Sequence, residues 1–346
     1  ALSAIFTAVV RISLDYAPGY HSKSPVMGSG KTYLCELIGA FAGPGGNTKV
    51  SYPTTSEEAT KVILSLLLTS PAVIEFDDMD TDWIPHGIIK RMLTAENITD
   101  RILGVSKTAT VSTRTLFLGS GNNVGPVRDL LRRVLMINID PRCATPATMT
   151  YKNSPVEKVR KYRGRYVSAV LTIITAWRKA GAPLADVESI ATFNDAWSNY
   201  CRHPLMWLGQ PDPATALLDQ VKHDPDGDAL AGLMTVWMRA FGSIPTTVRK
   251  AVDRAEQTHT ELLDAMCEFP VEEKGSINRS KLGWVLNKNQ NRIAGGMLFQ
   301  KTSADGRPAW RVIATNPPPL PPLPPFSQPV EKTVTQTSNK IVEVEV

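Results

Sequence analysis

The residues of this chain best equipped for chemistry lie at 24–34, SPVMGSGKTYL. Gly28, Ser29 and Gly30 can turn backbone N–H groups onto an anion at a helix N-terminus. Lys31 can bring a positive charge to the β and γ phosphates of a nucleotide, and the Thr32 hydroxyl can ligate Mg²⁺. Pro25 stands where such loops usually carry their first small residue. It lies at the loop's entry, upstream of the amides of residues 28 to 32, so it removes one N–H and stiffens the turn while leaving the cradle intact. Gly-Lys-Thr alone is a weak signal, because a plain glycine turn capping a helix reads the same way.

Three further groups follow, two closing an apolar run and the third preceding one. AVIEFDDMD ends in two carboxylates: Asp77 can hold Mg²⁺, directly or through water, and Asp78 can polarise an attacking water. TLFLGSGNN ends in Asn122 and Asn123, either of which offers an amide to orient that water. VRDLLRRVLMINID then places Arg128, Arg132 and Arg133 ahead of another apolar run, where an arginine can reach a neighbouring subunit's γ-phosphate. Singly, these are a strand with an acidic turn, a turn rich in Asn and a solvated basic helix end. In this order, each at a strand end, they point to nucleotide binding and then to hydrolysis.

The elements that must position them are strands at 72–76 (AVIEF), 115–120 (TLFLGS) and 134–139 (VLMINI), alternating with helical patterns. Such alternation predicts an α/β fold with a parallel sheet. The N-terminal stretch ALSAIFTAVVRISL reads as a core helix. From about 150 to 245 the pattern is helical, with YVSAVLTIITAWRKAG stopping at Gly181 and Pro183. PVEEKGSINRSKLGWVLNKNQNRIAGG suggests a helix-turn-helix, and MLFQKTSADGRPAWRVI two short strands around an Asp305-Gly306 turn. Helices followed by a hairpin describe a winged helix. NPPPLPPLPPFSQPVEK and the polar stretch after it favour a disordered, polyproline-like tail. The expected organisation is therefore a P-loop ATPase core over 1–145, a helical lid or linker over 146–245, a winged helix over 246–314 and the tail over 315–346.

Composition narrows the rest. With 42% hydrophobic and 21% charged residues the chain reads as an ordinary globular protein, and no apolar run approaches the roughly 20 residues a bilayer requires. Its four cysteines and five histidines are scattered, which argues against a disulfide framework or a structural zinc and favours the cytoplasm. A net charge of +5 permits nucleic acid as a partner without requiring it.

The ordered set GSGKT, EFDD, GNN and RRV resembles the superfamily 3 branch of AAA+ helicases, and more narrowly the helicase module of phage, plasmid and integrative-element primase-helicases. The most specific stretch is TAENITDRILGVSKTATVSTRTLFLGSGNN, where related helicases carry a β-hairpin with a basic residue at its tip. The likeness continues through DAWSNYCRHPLMWLGQPDP and the SKLGWVLNKNQNRIAGGMLF…WRV pattern, covering nearly all of residues 1 to 313. It implies an ATP-dependent DNA helicase that uses ATP and Mg²⁺ and assembles as a homo-oligomeric ring, with a hexamer expected. Lys31 and Thr32 would then belong to the first motif, Asp77 and Asp78 to the acidic pair, and Asn122 before Asn123 to the sensor. Arg133 before Arg132 would be the finger, and Lys107 the pore contact. Asp78 departs from the family pattern, since many AAA+ ATPases carry Glu there with a longer reach to water. The resemblance leaves room for a primase domain before Ala1. The rival expectations are a non-translocating DNA-binding AAA+ ATPase, such as an initiator, loader or regulator, and a DNA-binding protein with a dead nucleotide site.

Three basic features could meet nucleic acid. Lys107 could grip a phosphate of a strand threaded through the pore. Arg279, Lys281, Lys288 and Arg292 lie on or beside the expected recognition helix, and Lys301, Arg307 and Arg311 on the wing, where they could hold duplex backbone. EKVRKYRGRY (157–166) interleaves cations with tyrosines, which suits single-strand binding and equally suits a solvated helix face. Trp197, Tyr200 and Trp207 read as core packing.

Overall fold

The computed structural model describes residues 1–102, 107–150, 152–222 and 224–315. The chain divides into two compact units, residues 1–229 and 230 onward. The expected proline-rich tail lies, from residue 316, outside the described residues.

The first unit is an α/β domain. Its strands are β1 (Gly19–Ser24), β2 (Thr48–Val50), β3 (Val73–Met79), β4 (Asn97–Arg101), β5 (Thr108–Ser112), β6 (Leu116–Asn122) and β7 (Val134–Asn138). Its helices are α1 (Leu2–Val10), α2 (Lys31–Ala42), α3 (Ser56–Leu67), α4 (Gly87–Met92), α5 (Pro155–Lys161), α6 (Arg163–Lys179), α7 (His203–Trp207) and α8 (Thr215–Lys222). Five strands form one parallel sheet in the order β2-β3-β6-β1-β7, while β4 and β5 pair separately as an antiparallel hairpin. Parallel strands buried on both faces favour near-continuous apolar runs, and the first four residues of β3 and the first six of β6 are all buried, with Glu75 and Ser120 the polar exceptions. Successive side chains then feed opposite faces. Leu116 and Leu118 join Phe6, Ile38 and Trp197 in one core, whereas Phe117 joins Ile63, Phe76 and Trp83 in the other. The N-terminal stretch is the expected core helix, burying Ala4, Phe6, Ala8 and Val10.

The division between the units falls within α9 (Pro225–Phe241). The second unit continues with α10 (Val248–Thr258), α11 (Thr260–Cys267), the two-residue strands β8 (Glu272–Glu273) and β9 (Ser276–Ile277), α12 (Arg279–Lys288), β10 (Met297–Ala304) and β11 (Arg307–Ala314). The expected hairpin is present: β10 and β11 pair antiparallel, with Asp305 and Gly306 at φ of 52° and 70°. Two positive φ values in a two-residue turn match the right-handed twist of the strands. The stretch read as a helix-turn-helix contains one helix only. Lys274 and Gly275, at φ 53° and 78°, turn the chain into the small β8–β9 hairpin where a first helix was expected. Asn278 then caps α12 by accepting from the Ser280 and Lys281 amides.

Candidate functional site

The loop between β1 and α2 is shaped by two glycines in the left-handed region, Gly28 at φ 70° and Gly30 at φ 87°. At Gly28 a side chain is excluded twice over, because a Cβ there would lie 2.7 Å from that of Ala147. Gly30 is the N-cap of α2, so the helix begins at Lys31 with its free amides at the loop. A cleft of about 350 Å³ opens there, lined by Gly28, Ser29, Lys31, Thr32, Asp78 and Asn122 among others. The Ser29 hydroxyl is buried without a partner. An orphan donor beside the amides of a helix N-terminus suits an anion such as a phosphate.

Strand order brings the remaining groups to this cleft. With β6 lying between β1 and β3, the ends of all three strands meet on one edge of the sheet. Lys31 Nζ donates to Asn122 Oδ1 at 2.7 Å. Asp77 Oδ1 accepts from Thr32 Oγ1 at 3.0 Å and from Ser120 Oγ at 2.9 Å, and Lys49 Nζ lies 3.0 Å from Asp77 Oδ2. Burial alone would raise the Asp77 carboxyl, but hydrogen bonds from Lys49, Ser120 and Thr32 outweigh it and hold its pKa below the ordinary carboxylate value. Asp78 adopts φ 48°, outside extended geometry, and lines the cleft. Asn122 lines it and Asn123, at φ 53°, does not, which separates the two candidate amides.

Lys49 and Ser120 escaped the sequence reading. Ser120 sits two residues before Asn122 on the same strand, so the period of two that aims Asn122 could have found it. Lys49 sits on a three-residue strand, and nothing in its neighbours TKV signals a partnership with Asp77. One residue in from Asp77's neighbour Phe76, Glu75 is fully buried with Oε1 unpartnered, while Oε2 accepts from Asn47 Nδ2 at 2.7 Å.

The candidate finger arginines lie away from this cleft. Arg133 lines a second cleft, of about 320 Å³, with Lys90, Arg91, Thr94 and Asp129. Its side chain is 13% exposed, 3.3 Å from Asp129, and donates to the Lys90 carbonyl at 3.4 Å. Arg132 also pairs with Asp129 and is 52% exposed, and Arg128 pairs with Asp226. Lys107 is exposed immediately before β5, and its carbonyl accepts from the Ile102 amide at 2.9 Å. The four residues between them, at the expected hairpin tip, lie outside the described residues.

In the second unit Arg279 donates to Asp253 at 2.6 Å and Lys281 lies 3.3 Å from Glu273. Lys288 stands 5.0 Å above the ring of Trp284, itself 62% exposed, and Arg292 donates to Asn289. Of the aromatic trio, Trp197 is core and Tyr200 half-buried, but Trp207 is 41% exposed.

Among the described residues no group of three or more His, Cys, Asp or Glu could hold a metal by itself, and no helix is long and apolar enough to cross a membrane. A nucleotide-borne Mg²⁺ asks for less: one hydroxyl and one carboxylate, with phosphates and waters completing the octahedron. Thr32 and Asp77 are such a pair. No protein-family model matches the chain, and no curated protein matches it either.

Proposed function

We propose that this chain is the ATP-dependent DNA helicase module of a mobile-element replication protein, working as a homo-oligomeric, hexameric ring. The observation that carries the reading is the convergence of Lys31, Thr32, Asp77, Asp78 and Asn122 on one cleft from three separate strand ends. The loop amides and Lys31 bind the β and γ phosphates. Thr32 and Asp77 are the residues that would hold Mg²⁺, whose role is to neutralise charge between those phosphates. Asp78 accepts a hydrogen bond from the attacking water and aims it. Asn122, with Oδ1 turned to Lys31, keeps its amide N–H₂ for the γ-phosphate or that water. Arg133 serves the neighbouring subunit's nucleotide, and Lys107 on the β4–β5 hairpin contacts the threaded single strand. The helices and the β10–β11 hairpin of the second unit are read as a winged helix whose Arg279, Lys281, Lys288 and Arg292 hold duplex DNA.

One observation favours a second reading, a DNA-binding AAA+ ATPase that switches without translocating. Arg133 is mostly buried and engaged by Asp129 and the Lys90 carbonyl, so reaching a neighbour requires it to leave both.

Nucleotide titration, DNA-stimulated ATP turnover and displacement of a tailed duplex test these readings together. Lys31→Ala is expected to weaken nucleotide binding about 10- to 150-fold, the range for a hydrogen bond to a charged group. Equal affinity in both proteins ends every ATP-based reading. Turnover stimulated by DNA without strand displacement rejects the helicase and leaves the switch.

A further inference from the structure

The stretch 157–166, ambiguous as sequence, acquires a definite geometry in the fold. α5 and α6 are joined at Tyr162, whose amide bonds to the Lys158 carbonyl and whose carbonyl accepts from Tyr166, so the helical path runs nearly unbroken through the joint. Val156, Val159 and Val170 are buried along the inner stripe. Tyr166 lies on that stripe with its ring edge-on to Phe41, and Arg163 donates to the Phe41 and Ala42 carbonyls that end α2. The outer stripe is Lys158, Lys161, Tyr162 and Arg165, the i, i+3, i+4, i+7 set that shares one helix face. All four are exposed, as is Arg160 beside them.

Two features distinguish this stripe from a solvated surface. Arg91, Arg114, Arg132, Arg133 and Arg202 of the unit have carboxylate partners. Lys61 and Arg142 do not among the described residues, but they stand singly, whereas here four such cations fall within eight residues. Lys158, Arg160, Lys161 and Arg165 have none among the described residues, and Glu157 is the sole acid between Asp140 and Asp186. Amid this unbalanced charge sits an aromatic ring, Tyr162, 49% exposed and with Lys161 Nζ 5.3 Å from its centre. The second tyrosine of the same segment is turned inward, so the outward one is not explained by packing.

We infer that the α5–α6 outer stripe is a binding surface for single-stranded nucleic acid, its cations holding successive phosphates and Tyr162 stacking on a base. A row of positive charge one helix face wide matches a single flexible strand, and an exposed ring between the charges is what sequence-tolerant base stacking uses. This surface lies on elements other than the β4–β5 hairpin. It does not depend on the nucleotide cleft being active.

Binding of the full chain to a fluorescent oligothymidylate, without nucleotide and over a range of salt, tests it. The triple variant Lys158→Gln, Lys161→Gln, Arg165→Gln is expected to bind more weakly. The slope of log affinity against log salt should fall by about 2, since each cation that neutralises a phosphate of a single strand contributes roughly 0.7. Tyr162→Ala should weaken binding about fivefold or more, with Tyr162→Phe close to wild type, since stacking needs the ring and not the hydroxyl. The same triple variant should lose binding to heparin, and Tyr162→Ala should not. An unchanged salt slope in the triple variant overturns the proposal, as does equal loss of heparin and oligothymidylate binding in Tyr162→Ala. Tighter binding to vesicles rich in anionic lipid, or to an acidic polypeptide, than to the oligonucleotide also overturns it. Lys31→Ala should bind the oligonucleotide as wild type does, so failure of the nucleotide site and failure of this surface are read separately.

Discussion

Two carboxylates two residues apart on β3, Glu75 and Asp77, respond to pH with opposite sign. Burial raises the Glu75 carboxyl above its ordinary value, and the Asn47 hydrogen bond only partly opposes it. A raised folded-state pKa contributes stability below the unfolded value and loses it as pH rises through the folded value, so near neutrality Glu75 is a cost. Glu75→Gln is therefore expected to raise Tm at pH 8, by about 2–4 °C for each kcal/mol recovered. The gain should vanish as pH falls below about 4, where the unfolded carboxylate also protonates. For Asp77 the folded pKa is lowered, so its stabilisation is present above the unfolded value and lost as pH falls through the folded one. Asp77→Asn should destabilise at pH 7 and approach wild type near pH 2. Thermal unfolding of the three proteins across this range decides the matter, and a Glu75→Gln Tm at or below wild type at pH 8 contradicts the assignment.

Among the elements, the legible strands were those that look like strands. Residues 73–76, 116–118 and 134–135 are buried in the sheet and apolar but for Glu75; the first two run on into the polar groups that mark them, and the third follows its arginines. β1, though paired on both sides, does not read as a strand, because GYHSKS offers His21, Ser22 and Ser24 where a buried strand should offer Val or Ile. Tertiary partners make that composition tolerable: Trp83 Nε1 donates to His21 Nδ1 at 2.9 Å, and the Cys35 thiol lies 3.7 Å from the Ser22 hydroxyl. Lys49 stayed hidden for a similar reason, since its strand is too short to show a period. The loop between β1 and α2 is legible from its glycines, and the backbone supplies the test. Gly28→Ala is expected to cost about 1–2 kcal/mol for a left-handed β-carbon alone. The clash with Ala147 adds to that, so the double variant Gly28→Ala, Ala147→Gly should recover the steric part and leave the conformational part. Denaturant titration gives both differences. Full recovery in the double variant would show that the backbone conformation carries no strain.

At the scale of the whole molecule, composition divides the chain in one place and packing in another. Residues 146–245 read as a separate helical region because their apolar spacing is helical throughout, yet spacing does not say which core a helix joins. Val159, Val170, Ile174, Phe193 and Leu217 enter the same core as Phe6 and Leu118 of the α/β domain. Leu230, Met234 and Trp237 instead join Leu262, Leu282, Phe299 and Val312 in the second unit. That second core is built from residues 230–312 alone, with Trp237 fully buried and its ring 5.3 Å from those of both Phe241 and Phe299. A core that closes on itself predicts an independently folding unit, and residues 225–315 should therefore unfold cooperatively in isolation. Trp237→Ala is expected to cost about 3–5 kcal/mol, comparable with the whole stability of so small a unit. In the full chain this substitution should abolish one unfolding transition, leave the other in place and leave nucleotide affinity unchanged, because every residue lining the cleft belongs to the first unit. Calorimetry alongside nucleotide titration reads all three. A single transition that shifts as a whole on Trp237→Ala would mean that the two cores fold as one.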